Sequence, residues 1–163
     1  FAGGGAVKFV KDYQAAGLNK TIPLYGPGFL TDGTLDAQGE SAQGMLTTLH
    51  YADGLNTARD NAFRVAYAKS FKLQPDVYAV QGYDAAQMLG VGLAATKGDI
   101  GKKAEFTAAI EKAKIDSPRG TFTMSKSHNP VQDIYLRKVD GKENKLVSTA
   151  IKSLADPARG CRM

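Results

Sequence analysis

Cysteine and histidine, the commonest soft metal ligands and frequent catalytic groups, are scarce here: one cysteine, Cys161, and two histidines, His50 and His128, in 163 residues. Neither histidine is accompanied by an HExxH, a CxxC or an acidic loop, so no metal site is indicated. The plain reading makes His50 a strand-end residue and His128 a turn residue. Cys161 stands close to the end of the chain, as a free thiol or as half of a disulfide to a partner outside the chain. A tail does not offer the electropositive setting that activates a nucleophilic thiol. Tryptophan is absent, and no apolar run approaches the roughly 18 residues that a membrane helix needs. The most apolar stretch, Ala85–Ala95, is short and is interrupted by Gly90 and Gly92. GxSxG and Walker motifs are missing, and Gly98–Lys103 has neither the spacing nor the Ser/Thr of a phosphate loop. No two of the 16 acidic residues stand out as a glycosidase pair. No catalytic constellation is left, so neither an enzyme nor a cofactor is expected.

What is present is ordinary globular material, 43% hydrophobic and 23% charged, which argues against disorder. The net charge of +5 raises the question of nucleic acid. However, the basic residues are scattered, with pairs only at Lys102-Lys103 and Arg137-Lys138, and neither pair is interleaved with aromatics. A solvated basic surface is the simpler reading. The chain opens Phe1-Ala2-Gly3-Gly4-Gly5 with no initiator methionine, as though cut from something longer.

Periodicity sketches an α/β chain. Ala6, Phe9, Val10 and Tyr13 predict a helix over Gly5–Ala16, stopped at Gly17. Thr21–Tyr25 reads as a strand broken by Gly26-Pro27-Gly28, and Met45–Tyr51 as a second strand. Phe29–Ala42 is weakly patterned, a short helix and a loop. Asn56 is expected to cap a helix over Thr57–Lys72. Asp76–Thr96 reads as a long helix apolar nearly all round and therefore buried, and Lys103–Lys114 as an amphipathic one. Extended runs come next at Thr121–Met124, Gln132–Val139 and Leu146–Ile151, the first two joined by a polar turn through Ser127, His128, Asn129 and Pro130. Alternation early and paired strands late predict a mostly parallel sheet. The sheet looks incomplete, because few strands must cover at least four helices.

Three places could meet a ligand. Ala2 and Gly3, with Gly4 and Gly5, precede the first helix, where free N–H groups favour an anion such as a carboxylate; the plainer reading is a strand-to-helix turn. Gly28 and Phe29 close the first strand with an exposed aromatic, at the carboxyl end where open parallel sheets bind ligands. Tyr78 and Tyr83 flank Gln81-Gly82 early in the long helix, and serve equally as ligand platforms or as half-buried core. Gly90-Val91-Gly92-Leu93-Ala94-Ala95 matches GxGxxA, but it falls inside a helix and not after a strand, so the glycines read as packing positions.

In order along the chain stand FAGGGAVKFVKDY, IPLYGPGF, GESAQG, DVYAVQGYDAAQML and SPRGTFTMSKSHNPVQDIYLRKV. Together these resemble the second half of type I periplasmic substrate-binding proteins of ABC transporters. The branch is that of the leucine/isoleucine/valine-binding proteins, especially members serving aromatic acids. The resemblance implies the C-terminal portion of a two-lobed α/β fold with three hinge crossovers and a ligand held between the lobes. Residues 1–52 would belong to the second lobe and 53–118 to the first. Residues 119–163 would form a hinge crossover and the return to the second lobe. It also implies a periplasmic location, a removed signal peptide, and two partners: a small-molecule ligand, aromatic carboxylate or amino acid, and a membrane permease.

Carried over by position, the ligand-facing places are Ala2 and Gly3, Gly28 and Phe29, and Tyr78. Amino-acid-binding members of the resembled family have a tyrosine where this chain has Ala2. They have a glutamate, set against the ligand ammonium, where this chain has Gly28. A buried ammonium without a carboxylate is costly, so the resemblance favours an aromatic acid over an amino acid and leaves room for a planar ring. A ligand-sensing regulatory domain of the same fold is the alternative from another class. Half a sheet with open edges also predicts that the isolated piece dimerises or domain-swaps.

Overall fold

The computed structural model describes residues 2–160, so Cys161 and its bonding lie outside the described residues. The chain folds as two compact units: unit 1 comprises Phe1–Leu55 and Ile134–Ala150, and unit 2 comprises Asn56–Asp133 and Ile151–Met163. It therefore passes from one unit to the other three times. The class is α/β, as the sequence predicts, with a mixed sheet.

In unit 1, helix α1 (Gly3–Ala15) buries Ala6 and Val10, one turn apart, against Leu30, Ala42, Met45 and Val139. Strand β1 is Tyr25–Pro27, later than the expected Thr21–Tyr25. The N–H groups of Thr21 and Ile22 both bond back to the Leu18 carbonyl at 3.0 and 2.8 Å, which holds that stretch in a turn. Pro23, lacking an N–H, cannot join a ladder there. The chain then makes a 3-10 turn at Gly28–Leu30, the short helix α2 (Leu35–Gln38) and strand β2 (Leu46–Leu49).

β1 and β2 pair in parallel, Tyr25 opposite Leu46 and Pro27 opposite Thr48. Strand β4 (Pro130–Asp140) runs antiparallel to β2, with Leu49 opposite Tyr135 and Thr47 opposite Arg137. Strand β5 (Glu143–Leu154) pairs with β4 across the Gly141-Lys142 turn. The expectation of mostly parallel pairing is thus corrected among the described residues, where parallel pairing is limited to β1–β2 and an isolated bridge between Asp53 and Lys145. A two-residue turn can join only antiparallel neighbours, and β4 is their common partner.

In unit 2, helix α3 (Ala58–Phe71) is capped by Thr57, whose hydroxyl accepts the Asp60 N–H at 3.0 Å. Asn56, the expected cap, sits instead at φ +55, one residue too early. Helix α4 (Val77–Ala95) starts on Asp76, whose carboxylate accepts the Ala79 N–H at 3.0 Å. The expectation of all-round burial fails for α4: Val77, Val80, Asp84 and Gly92 are buried, whereas Tyr78, Leu89 and Leu93 are exposed. Helix α5 (Lys103–Glu111) packs on α4 so closely that a Cβ on Gly92 would stand 2.6 Å from the Phe106 ring. That contact explains the false GxGxxA. Ala113, Ile115 and Phe122 form a second core with Met88, Val91 and Met124. Strand β3 (Thr123–Met124) then pairs antiparallel with Pro130 and Val131 of β4.

Candidate functional site

The predicted residues of unit 1 gather on two elements that pack on each other, the start of α1 and the 3-10 turn after β1. Ala2 is the extended, exposed residue before α1, and no side chain caps the helix start or places an acid in its first turn. Gly3 takes φ +54, a left-handed conformation that glycine adopts without steric cost. Gly28 begins the 3-10 turn and is buried, while Phe29 beside it keeps 47% of its surface exposed. Gly28 also anchors the loop after β1, because its carbonyl accepts the N–H groups of Thr31 and Asp32, each at 2.9 Å.

The space beside Gly28 is not empty. A Cβ built there would lie 2.6–2.8 Å from the Cδ2, Cδ1 and Cγ atoms of Leu49. The expectation that glycine at this position frees volume is therefore corrected: the isobutyl group of Leu49 fills it. Leu49 is not identifiable from sequence, because only the strand register sets it beside Gly28. Its one visible sign is an apolar residue ending a Thr-rich strand.

A second feature hidden from the sequence holds this corner together. Arg137 of β4 is almost fully buried and directs its guanidinium at Asp32, at Thr47 Oγ1 and at the Tyr51 carbonyl. Thr31 Oγ1 donates to Asn144 Oδ1 at 2.7 Å. The loop bearing Phe29 is thus fixed by buried polar bonds to β4 and β5, and Arg137 carries the link on to Thr47 of β2.

Unit 2 separates its two candidate tyrosines. Five residues apart, they point about 140° apart around α4. Tyr78 is 54% exposed in the first turn of the helix. Tyr83 is half-buried, its ring 5.0 Å from that of Phe63 and capped by the Arg59 guanidinium at 5.0 Å. This packing gives Tyr83 a structural task within α3 and α4, and leaves Tyr78 as the free aromatic surface.

Below them lies a buried polar cluster. Arg119 Nε donates to Asp84 Oδ2 at 2.8 Å, and Ser117 Oγ donates to the same oxygen at 2.9 Å. Arg119 also donates to Gln132 and lies 4.2 Å from the centre of the Phe122 ring. Asp84 Oδ1 is buried with no partner among the described residues. Burial accordingly pushes the Asp84 carboxyl above its ordinary range, against the pull of Ser117 and Arg119. The cluster ties the Ser117–Gly120 turn to α4.

His128 adopts φ +58 and bonds through Nε2 to Glu111 at the end of α5, 2.8 Å away and exposed. It is a turn residue, as its sequence setting indicates. No group of three or more histidines, cysteines and acids able to hold a metal occurs among the described residues, and no helix there is long and apolar enough to cross a membrane.

Comparison with known proteins gives a consistent setting. Residues 1–144 match the family described as periplasmic binding protein. A curated relative from Brucella abortus (strain 2308), Leu/Ile/Val-binding protein homolog 6, is 33% identical over 138 residues, covering 80% of this chain and 35% of the relative. The solute-binding protein of an ABC transporter from R. palustris, solved in complex with benzoate, is 47% identical with a TM-score of 0.93. That alignment covers 100% of this chain and 45% of the solved one. A solute-binding protein from Rhodopseudomonas palustris BisB5, solved with 3,4-dihydroxy benzoic acid, is 30% identical with a TM-score of 0.83, covering 97% of this chain and 45% of its own. The chain spans about a third of the curated relative and less than half of the solved structures.

Proposed function

Because the chain belongs to the periplasmic binding protein family, we propose that it is part of an extracytoplasmic solute-binding protein of an ABC importer whose ligand is a small aromatic carboxylate. One observation carries this reading: at 47% identity the whole chain follows a solute-binding protein solved with benzoate. The geometry of unit 1 supports it. The carboxyl end of β1 offers the exposed Phe29 ring and, at Gly28, no carboxylate for an ammonium. Within unit 1 the proposed contacts are Phe29, the backbone at Gly28, and the helix start at Ala2 and Gly3. Within unit 2 the proposed contact is Tyr78, while Tyr83 packs against Phe63 and Arg59. The protein performs no chemistry on its ligand, works in the periplasm and hands the ligand to a membrane permease. Dimerisation of the isolated chain is a further part of the proposal, checked by light scattering.

A second reading, binding of a branched-chain amino acid, is favoured by the name of the curated relative. Calorimetry on the full-length protein separates the two. Benzoate and hydroxybenzoates are expected to bind and leucine to give no heat. Tight binding of leucine with none of any aromatic acid would overturn the proposal.

A further inference from the structure

Gly28 and Leu49 form one steric unit at the carboxyl ends of β1 and β2. The parallel register sets Pro27 opposite Thr48, so the next rung brings Gly28 beside Leu49. Gly28 is not among the glycines with positive φ, so its backbone conformation does not require glycine. The close approach does: at 2.6–2.8 Å from three Leu49 carbons, a Cβ would force that side chain to move. Glycine at position 28 is thus a consequence of leucine at position 49.

Burial along β2 shows where this leucine is heading. Thr47, on the same face of the strand, is 1% exposed, whereas Leu49 is only half-buried. The face opens at its carboxyl end, next to the exposed ring of Phe29. This end of the strand pair is where open parallel sheets receive ligands. Instead of a polar side chain from position 28, the corner presents an isobutyl group.

We propose that Leu49 is a specificity-determining residue: it lays hydrocarbon against the ring of an aromatic carboxylate and, by occupying the space of a side chain at position 28, excludes a charged partner for an amine. The inference rests on the aromatic-acid reading above.

The test uses the full-length protein, with benzoate and leucine as calorimetric probes and thermal unfolding without ligand as a second readout. Leu49→Ala should weaken benzoate about tenfold, as loss of a half-buried isobutyl group implies. Leu49→Val, one half-buried methylene smaller, should weaken it about twofold and serves if the alanine variant does not fold. Gly28→Ala should lower the melting temperature in the native background and lower it much less beside Leu49→Ala. Unchanged benzoate affinity in both Leu49 variants would overturn the proposal, as would a Gly28→Ala penalty indifferent to residue 49. If the native protein bound leucine and not benzoate, the functional reading itself would fall and take this one with it. If native benzoate binding stood while the Leu49 variants matched it, only this inference would fall.

Discussion

The Arg137 guanidinium grips Asp32 with both terminal nitrogens, Nη2 to Oδ2 at 2.6 Å and Nη1 to Oδ1 at 3.3 Å. Both side chains are nearly sealed from water, at 1% and 5% exposure. Thr47 and Tyr51 take up further donors, so the charge is hydrogen-bonded on several sides. Asp32 lies three residues after Phe29, which makes the pair the fastening of the loop that offers that ring.

Breaking a buried pair leaves one charge uncompensated, at about 3–5 kcal/mol. Arg137→Met in the full-length protein should therefore cost about that much, read from urea unfolding. Arg137→Lys should recover little of it, because an ammonium cannot supply the planar two-pronged contact. A lysine variant as stable as the native protein would show that charge alone suffices.

The equivalent pair in unit 2 predicts a pH dependence. Burial raises the Asp84 carboxyl, while Ser117 and Arg119 pull it down. Arg119→Met removes part of that pull and should raise it further. A carboxyl whose folded pKa exceeds its unfolded value gives stability that is complete below the unfolded pKa of 3.8 and is lost as pH rises through the folded one. The stability gap between native protein and Arg119→Met should accordingly widen from pH 4 towards pH 7, reaching about 3–5 kcal/mol. A gap independent of pH would mean that Asp84 stays ionised without its arginine.

The sequence makes some of this legible and hides the rest for identifiable reasons. Helices α1, α3, α4 and α5 arise from apolar spacing and capping chemistry, which are local. Strand β1 lies later than its propensity suggests, because a turn held by Leu18 and the missing N–H of Pro23 outweigh the β-propensity of Thr21 and Ile22. Phe29 and Tyr78 are readable as aromatics at element ends. Leu49, Arg137 and Asp32 are not, since their roles exist only once β1, β2 and β4 are in register. Helix α4 reads as buried because its sequence is apolar on every side, yet packing covers only the faces that meet α3, α5 and the segment 113–122, and leaves Tyr78, Leu89 and Leu93 exposed.

Local signals can still mislead by one residue, and the start of α3 offers a sharp check. Thr57→Ala removes the hydroxyl that accepts the Asp60 N–H and should cost about 1 kcal/mol, whereas Thr57→Ser should be tolerated. Asn56→Gly should be neutral or mildly stabilising, because Asn56 occupies φ +55 and provides no cap to α3. Were Asn56→Gly the more damaging change, Asn56 and not Thr57 would be capping the helix.

His128 and Phe29 make opposite predictions for the same assay. His128 sits in an exposed turn and meets Glu111 in a surface pair, an interaction worth about 0–1 kcal/mol. His128→Ala should leave the order of preference among benzoate, hydroxybenzoates and leucine unchanged, with a small loss of stability from the left-handed backbone that alanine adopts less readily. Phe29, half in water, contributes little to the core, so Phe29→Ala should barely move the melting temperature. Its ring is nevertheless an exposed apolar surface at the carboxyl end of β1, and its loss should weaken aromatic acids about tenfold or more. Tyr78→Phe and Tyr78→Ala then separate ring from hydroxyl: affinity kept by phenylalanine and lost by alanine assigns Tyr78 a stacking role, while equal loss in both assigns it a hydrogen bond. If His128→Ala shifted ligand preference while Phe29→Ala did not, the ligand residues would have been placed at the wrong end of the sheet.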